Sequence, residues 1–188
     1  MTLHRDARTV LTGWTAPTPE EERLRREFLA HLDAHPDAML RECAAGHLTA
    51  TTAVLSHDGA RVLLTLHTKA RMWLPMGGHC ENGDATLAQA ALREATEESG
   101  IPGLVLLGGP LALDRHKGWC HRPFRWHLDV EYGAVAPPDA ETIISDESLD
   151  LRWFPVEEIP EPTDEATRRL VRRARARLLA ERGARAGS

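Results

Sequence analysis

A glycine-rich loop that runs directly into an acidic helix is the feature that most constrains the fold of this chain. Residues 77–85 contain three glycines, and residues 86–99 follow with helical periodicity. Thr86 and Gln89 have the spacing of a capping box, and Gly100 stands where a left-handed C-terminal cap is wanted. The apolar stripe of the predicted helix consists of Leu87, Ala91 and Ala95. The segment therefore predicts a helix with marked ends and one apolar side.

Three glutamates share one side of this predicted helix. Glu94 lies three and four residues before Glu97 and Glu98, so helical spacing brings the three carboxylates together. Each like-charge pair costs about 0.2 to 0.5 kcal/mol, and a hard divalent cation would remove that repulsion. Mg²⁺ is the natural candidate because it takes oxygen ligands and keeps positions for water and substrate phosphates, and Mn²⁺ is the alternative.

The neighbours of these glutamates suit a cation site. Arg93 lies four residues before Glu97, so its guanidinium can hold that carboxylate in place. Gly77 and Gly78 allow the backbone to approach an ion or a phosphate where a larger residue would block it. The loop and the helix together predict a metal site.

Residues 77–101 resemble the Nudix box, whose family pattern is G-x5-E-x7-R-E-U-x-E-E-x-G-U, with U an aliphatic residue. Residues 93–101 match the second half when Ala95 is accepted at an aliphatic position. In the first half, one extra residue stands between Asp84 and Arg93, and Asp84 replaces the glutamate of the pattern. This departure affects only the outer, supporting carboxylate.

The resemblance implies a fold and a chemistry. The fold is an α/β/α sandwich around a mixed sheet, and the weaker resemblance of the flanking strands extends from about residue 47 to 160. The implied activity is Mg²⁺-dependent hydrolysis of a diphosphate linkage in a nucleoside diphosphate joined to another moiety, by metal-activated water. The implied metal ligands are the Gly78 carbonyl, Glu94, Glu97 and Glu98, and the implied catalytic residues are Glu97, Glu94 and Arg93. Glu147 joins them as a general base or extra ligand, since members of this family often take one from a downstream loop; a solvated loop acid is the equal alternative.

The remaining chain divides around this segment. Residues 1–46 are predicted to form a helical extension, with a helix between residues 18 and 42, that packs outside the core as a lid or a homodimer contact and adds no ligand to the catalytic metal. The resemblance implies that residues 47–182 form the Nudix domain, and residues 183–188 are expected to be a frayed tail. The predicted strands are Leu48–Leu55 and Arg61–Leu66, joined by an Asp58-Gly59 turn, then Leu104–Leu113, Trp126–Val135 and Leu151–Phe154, and a helix follows at Thr163–Arg182.

Two further side chains are candidates for substrate binding beside Gly77. Trp73 precedes the glycine loop and would stack on a base or sugar, with core packing as the equal alternative. His127 shares a face of its predicted strand with Asp129 and Glu131, and that face would line the cleft. A plain solvent face is the favoured alternative for that strand.

Other clusters receive weaker interpretations. His116, Cys120, His121 and His127 match none of the standard spacings of structural zinc sites, so zinc is not favoured. The arginines between residues 168 and 177 spread round the last helix of a chain with net charge −5, which favours a solvated face over a nucleic-acid surface.

The composition places the chain in a cellular context. The start lacks a signal-peptide apolar stretch, and no segment approaches the roughly 20 apolar residues that span a bilayer, so we expect a cytoplasmic protein without membrane partners. Its partner is expected to be a small nucleotide-like diphosphate. Two alternatives stay open on the same fold: a module that senses nucleotides without cutting them, and an isomerase of isoprenoid diphosphates.

Overall fold

The computed structural model describes residues 2–118, 124–145 and 148–187 of the chain. The helices are α1 (Leu3–Gly13), α2 (Pro19–Ala34), α3 (Leu87–Ser99) and α4 (Glu165–Ala186). The strands are β1 (His47–Leu55), β2 (Arg61–His67), β3 (Trp73–Leu74), β4 (Met76–His79), β5 (Val105–Leu106), β6 (Ala112–Gly118), β7 (Arg125–Val135) and β8 (Ser148–Pro155).

The strands form one mixed sheet with β1 near its centre. β1 runs parallel to β7, with His47 opposite His127 and Leu55 opposite Val135, and antiparallel to β2 and β4. β3 and β8 pair with β2, whereas β5 and β6 pair with β7. The chain passes through α3 between the two parallel strands, as a parallel pair requires a long connection.

Helices cover both faces of the sheet. Successive side chains of a strand point to opposite sides, so β1 contributes apolar residues to both faces. Leu48 and Ala50 of β1 belong to a buried cluster that includes Leu87 of α3. Ala53 and Leu55 belong to a different cluster, which is built with α4. The result is the α/β/α sandwich that the sequence predicted. No helix among the described residues is both long and apolar enough to cross a bilayer.

The N-terminal extension differs from the prediction, because its helices complete the core and do not lie outside it. Two helices are present where one was predicted, and α2 ends at Ala34, well short of residue 42. Leu11 of α1 and Phe28 of α2 are fully buried in the same cluster as Leu48 and Tyr132 of the sheet. The physical reason is that the sheet face beyond α3 is apolar and requires cover.

The predicted hairpin and the strands at β7 and β8 are confirmed, but two other boundaries were wrong. The segment predicted as a single strand from Leu104 to Leu113 contains β5 and the start of β6, separated by a turn in which Gly108 has a φ of 59°. The last helix continues to Ala186, through the segment that was predicted to fray from Gly183 onwards.

Candidate active site

Local hydrogen bonds determine where α3 begins and ends. The Thr86 hydroxyl accepts a hydrogen bond from the Gln89 N–H at 3.0 Å, and Gly100 adopts a φ of 68° in the left-handed region. Both caps are those that the sequence predicted. A further cap comes from α1, because the Asp6 carboxylate accepts a hydrogen bond from the Leu87 N–H at 2.8 Å. The helix is continuous from Leu87 to Ser99, so the glutamates keep their helical spacing.

The glutamates of α3 meet the glycines of β4. The Gly77 N–H donates to the Glu98 carboxylate at 3.0 Å, and Glu98 is buried. A Cβ added at Gly78 would lie only 2.6 Å from the Glu94 carboxylate, so this close approach requires glycine. Glu97 is the most open of the three, with 60% of its side chain exposed. Helix and loop therefore bring together the residues that the sequence predicted as a cation site.

Arg93 connects these acids to the loop before the helix. Its guanidinium donates to Glu94 at 3.0 Å and to Glu97 at 3.1 Å, and it also donates to the His79 carbonyl at 2.9 Å. Two further hydrogen bonds, at 3.1 and 3.0 Å, reach the two carboxylate oxygens of Asp84. The guanidinium thus occupies a fixed position among four acceptor groups.

Asp84 is the buried partner in this arrangement. Its carboxylate also accepts a hydrogen bond from the Glu81 N–H at 2.8 Å. Burial would raise the pKa of Asp84, but the hydrogen bonds from Arg93 and Glu81 outweigh burial and lower it below its ordinary value. Asp84 therefore remains a carboxylate and holds Arg93 from the loop side.

A cleft of about 1020 Å³ opens beside these residues, and one polar face of the sheet forms its floor. The floor contains alternate residues of four neighbouring strands, which share a face because of their register. These residues are Thr49, Thr51, His79, Asp114, His116, His127, Asp129 and Glu131, and the fully buried His47 belongs to the same sheet face. Residues 40–42 of the N-terminal extension line the cleft.

The favoured expectation of a solvent face for β7 was wrong. Asp129 and Glu131 are each only 3% exposed. The Thr49 hydroxyl donates to Asp129 at 2.8 Å, and Arg169 of α4 donates to Glu131 at 2.9 Å. A single sequence shows the alternation along β7 but not the helix that packs over part of that face.

Burial controls the charges on this floor. Burial raises the pKa of Asp129, and burial together with the neighbouring Asp129 raises the pKa of Glu131 to about 8, although the nearby Arg169 lowers it. Burial and the adjacent histidines lower the pKa of His127 to about 3. At neutral pH His127 is therefore a neutral imidazole.

The structure does not bring every predicted residue to the cleft. Trp73 is only 8% exposed and packs edge-on against Phe154, with ring centroids 4.8 Å apart. It is therefore a core residue, which was the alternative to substrate stacking. His127 and Gly77 do line the cleft. Glu147, Cys120 and His121 lie outside the described residues. His116 contacts Asp114 at 3.0 Å.

Five arginines of α4 form ion pairs with acids of the same chain. Arg172 contacts Glu165 at 2.7 Å on the exposed side, whereas Arg173 binds the buried Glu21 of α2. This helix therefore presents solvated ion pairs on one side and ties two layers together on the other.

Several cleft residues were not singled out from the sequence, and the signal for them was available. His47, Thr49 and Thr51 alternate with apolar residues, which indicates a strand with one polar face. His79 follows the two glycines and belongs to the same face through its pairing with Thr49. Only the strand register shows that these polar positions adjoin those of β7.

The residues around Gly78 fit a hard divalent cation. Three carboxylates and a backbone strand with no side chain at two successive positions offer oxygen ligands, and the approach of Glu94 to Gly78 leaves no space for a Cβ. Mg²⁺ prefers such ligands and retains room for water and phosphate oxygens.

Comparisons with known proteins agree with this geometry. The family model of the NUDIX domain matches residues 46–174 of this chain. A NUDIX-family hydrolase structure from Clostridium perfringens is 24% identical with a TM-score of 0.52, and the match covers 72% of this chain and 97% of that chain. A binary complex of the Ap4A hydrolase of C. elegans is 20% identical with a TM-score of 0.59, and the match covers 71% of this chain and 98% of that chain.

A third similar structure is the dihydroneopterin triphosphate pyrophosphohydrolase of E. coli. It is 17% identical with a TM-score of 0.52, and the match covers 66% of this chain and 91% of that chain. A search of curated proteins gave no match. At these identities the structural similarities concern the fold.

Proposed function

The chain belongs to the NUDIX family and is a Nudix-type pyrophosphohydrolase that uses a divalent metal, and from this premise we propose its substrate class, its metal and its catalytic residues. The proposed substrate is a nucleoside diphosphate linked to another moiety, and the proposed metal is Mg²⁺. The proposed ligands are the Gly78 carbonyl, Glu94, Glu97 and Glu98.

One observation carries this proposal: three carboxylates of one helix face converge with Gly77 and Gly78 at the edge of a nucleotide-sized cleft. When bound, Mg²⁺ supplies charge neutralisation of the phosphates and makes a bound water more acidic. The protein positions the carboxylates for this chemistry. Glu98 is oriented by the Gly77 N–H, and Glu94 and Glu97 are oriented by Arg93.

We assign roles within this set by exposure and contacts. Glu97 faces the open cleft, so it and Glu94 are the proposed catalytic carboxylates, with Arg93 fixing both. Glu147, which directly precedes β8 in the sequence, remains a proposed general base or ligand. His127 and Gly77 line the cleft, which supports a role for them in substrate contact.

Kinetics on single variants test the assignment. The substrate is first identified by screening nucleoside triphosphates, nucleotide sugars, ADP-ribose and dinucleoside polyphosphates with Mg²⁺ present, because the similar structures include an Ap4A hydrolase and a triphosphate pyrophosphohydrolase. Glu97→Gln and Glu98→Gln should each lower kcat by about 100-fold or more, since each removes a negative charge from the metal site. Melting without metal should be unchanged or slightly higher, because repulsion between carboxylates is relieved.

Matched variants distinguish this outcome from a general effect. Glu158→Gln removes an exposed carboxylate far from α3 in sequence, and it should leave kcat unchanged. Substitution of His116 or His121 should have much smaller effects than substitution of the glutamates. Near-normal turnover in both Glu97→Gln and Glu98→Gln would contradict the assignment, and nucleotide binding without phosphate release would favour the sensing module.

A further inference from the structure

Three histidines from three neighbouring strands meet on the cleft floor. His47 lies on β1, directly opposite His127 of the parallel strand β7. His79 lies on β4, opposite Thr49, which is two residues after His47 and therefore on the same face. The three rings are thus brought together by sheet register, although their positions in the sequence span 80 residues.

The distances suit one shared ion. Ring centroids are 5.0 Å apart for His47 and His79, 4.8 Å for His47 and His127, and 5.2 Å for His79 and His127. One ring nitrogen from each histidine lies within 4.8 Å of the others. A tetrahedral zinc site with Zn–N bonds of about 2.0 to 2.1 Å places its nitrogens about 3.4 Å apart. Binding of the ion would draw the three nitrogens closer together.

The surroundings hold the rings in place. His47 is fully buried, and the His127 ring packs on Gly118, where an added Cβ would overlap the ring. Carboxylates lie near the cluster: Asp129 is two residues after His127 on the same face, and Asp114 contacts His116, whose ring centroid is 5.3 Å from that of His127.

The donor atoms determine the class of ion. Imidazole nitrogens suit Zn²⁺ and related transition metals, whereas Mg²⁺ takes oxygen ligands. The cluster and the glutamates of α3 therefore select different ions, even though His79 directly follows Gly78 in the chain.

We propose that His47, His79 and His127 bind one Zn²⁺ ion whose fourth coordination position faces the cleft. His79 and His127 line the cleft and His47 is fully buried, so the open position would point towards the substrate space. Three protein ligands with an open fourth position are typical of zinc sites that contact a substrate or water. The ion would give the floor a fixed positive charge beside the proposed Mg²⁺ site, suited to an anionic group.

Zinc binding to the full chain tests the proposal, with Zn²⁺ as the probe and excess Mg²⁺ present to occupy the carboxylate site. A chromophoric chelator that competes for Zn²⁺ should report one tight site per chain in the wild-type protein. His79→Gln and His127→Gln should each weaken that site at least about 100-fold, since loss of a direct ligand exceeds the effect of losing an outer partner. His57→Gln, at an exposed turn, should leave the affinity unchanged.

Two variants separate this site from its neighbours. Glu97→Gln should retain zinc while losing Mg²⁺-dependent hydrolysis. Hydrolysis therefore tests the proposed function and zinc affinity tests the zinc site, so a failure of one proposal is distinguishable from a failure of the other. Cys43→Ala disrupts the other group of potential ligands among the described residues, formed by His35, Asp37 and Cys43, and should also retain zinc. Absence of a tight site in the wild type, unchanged affinity in both histidine variants, or loss of zinc with Cys43→Ala would overturn the proposal.

The visible absorption spectrum of Co²⁺ bound to the wild-type protein gives a second test, which does not depend on whether a histidine variant folds. Four-coordinate Co²⁺ bound by nitrogen should show strong visible d–d absorption without a thiolate charge-transfer band. The weak spectrum of an octahedral oxygen site, or a thiolate band, would contradict the proposal even if a histidine variant fails to fold.

Discussion

Arg93 shows how one side chain can organise a site made of like charges. It contacts Asp84, Glu94 and Glu97 at once, so the negative charges lie around a fixed positive charge. These contacts differ in value because their burial differs: Asp84 is 2% exposed and Glu97 is 60% exposed. The buried contact accounts for more of the stability, and the exposed carboxylate stays available for the cleft.

We expect Asp84→Asn to lower the free energy of unfolding by about 1 to 3 kcal/mol at neutral pH, because a charged hydrogen-bond partner of Arg93 is lost. Since the folded pKa of Asp84 is lowered, its contribution is present above the unfolded pKa of about 3.9 and is lost as the pH falls through the folded pKa. Denaturation of the metal-free protein at several pH values measures this difference.

The matched control for this variant is Glu81→Gln, which removes an exposed carboxylate 3.8 Å from Arg93 and should change stability little. A difference between Asp84→Asn and the wild type that persists unchanged well below pH 4 would show that the carboxylate charge is not the cause.

At the scale of elements, the N-terminus of α3 is capped by α1, a helix far away in the sequence. α1 places Asp6 at the first turn of α3, where its carboxylate accepts the Leu87 N–H. A carboxylate at a helix N-terminus is favourable for two reasons. It accepts a hydrogen bond from an N–H that has no partner within the helix, and its negative charge is attracted to the positive end of the helix dipole. α1 therefore stabilises the element that carries the glutamates.

Asp6→Ala should lower the free energy of unfolding by about 0.5 to 2 kcal/mol, the usual cost of removing a capping side chain. Asp6→Asn keeps an acceptor but removes the charge, so its loss should be smaller. Chemical denaturation of the two variants beside the wild type measures the series, and equal stability of all three would show that the cap is without effect.

At the scale of the whole molecule, the core is continuous from the N-terminal helices to the sheet. Phe28 and Leu11 are fully buried with Tyr132 and Leu48, so removal of α1 and α2 would expose the apolar face of β1 and β7. The extension thus belongs to the same layer of the sandwich as α3, and its residues 40–42 also line the cleft.

Phe28→Ala should lower the free energy of unfolding by about 3 to 5 kcal/mol, as expected for a large core side chain. Leu179→Ala removes an apolar side chain from α4 that is 56% exposed, and the effect should lie within about 0.5 kcal/mol. Denaturant titration compares them. A peripheral extension would instead make the two losses similar and small.

The sequence by itself determined the features that depend on neighbours along the chain. Helical and strand periodicity and capping signals are visible within a single segment. They gave the caps at Thr86 and Gly100, the common face of Glu94, Glu97 and Glu98, and the alternation along β7.

Only the tertiary structure decided which faces are covered and which distant residues meet. It placed Trp73 in the core, brought Arg169 of α4 to Glu131, and brought His47 beside His127 through strand register. These outcomes depend on contacts between segments far apart in sequence. A local pattern reports that a face is polar or apolar, but burial depends on which other element packs against that face.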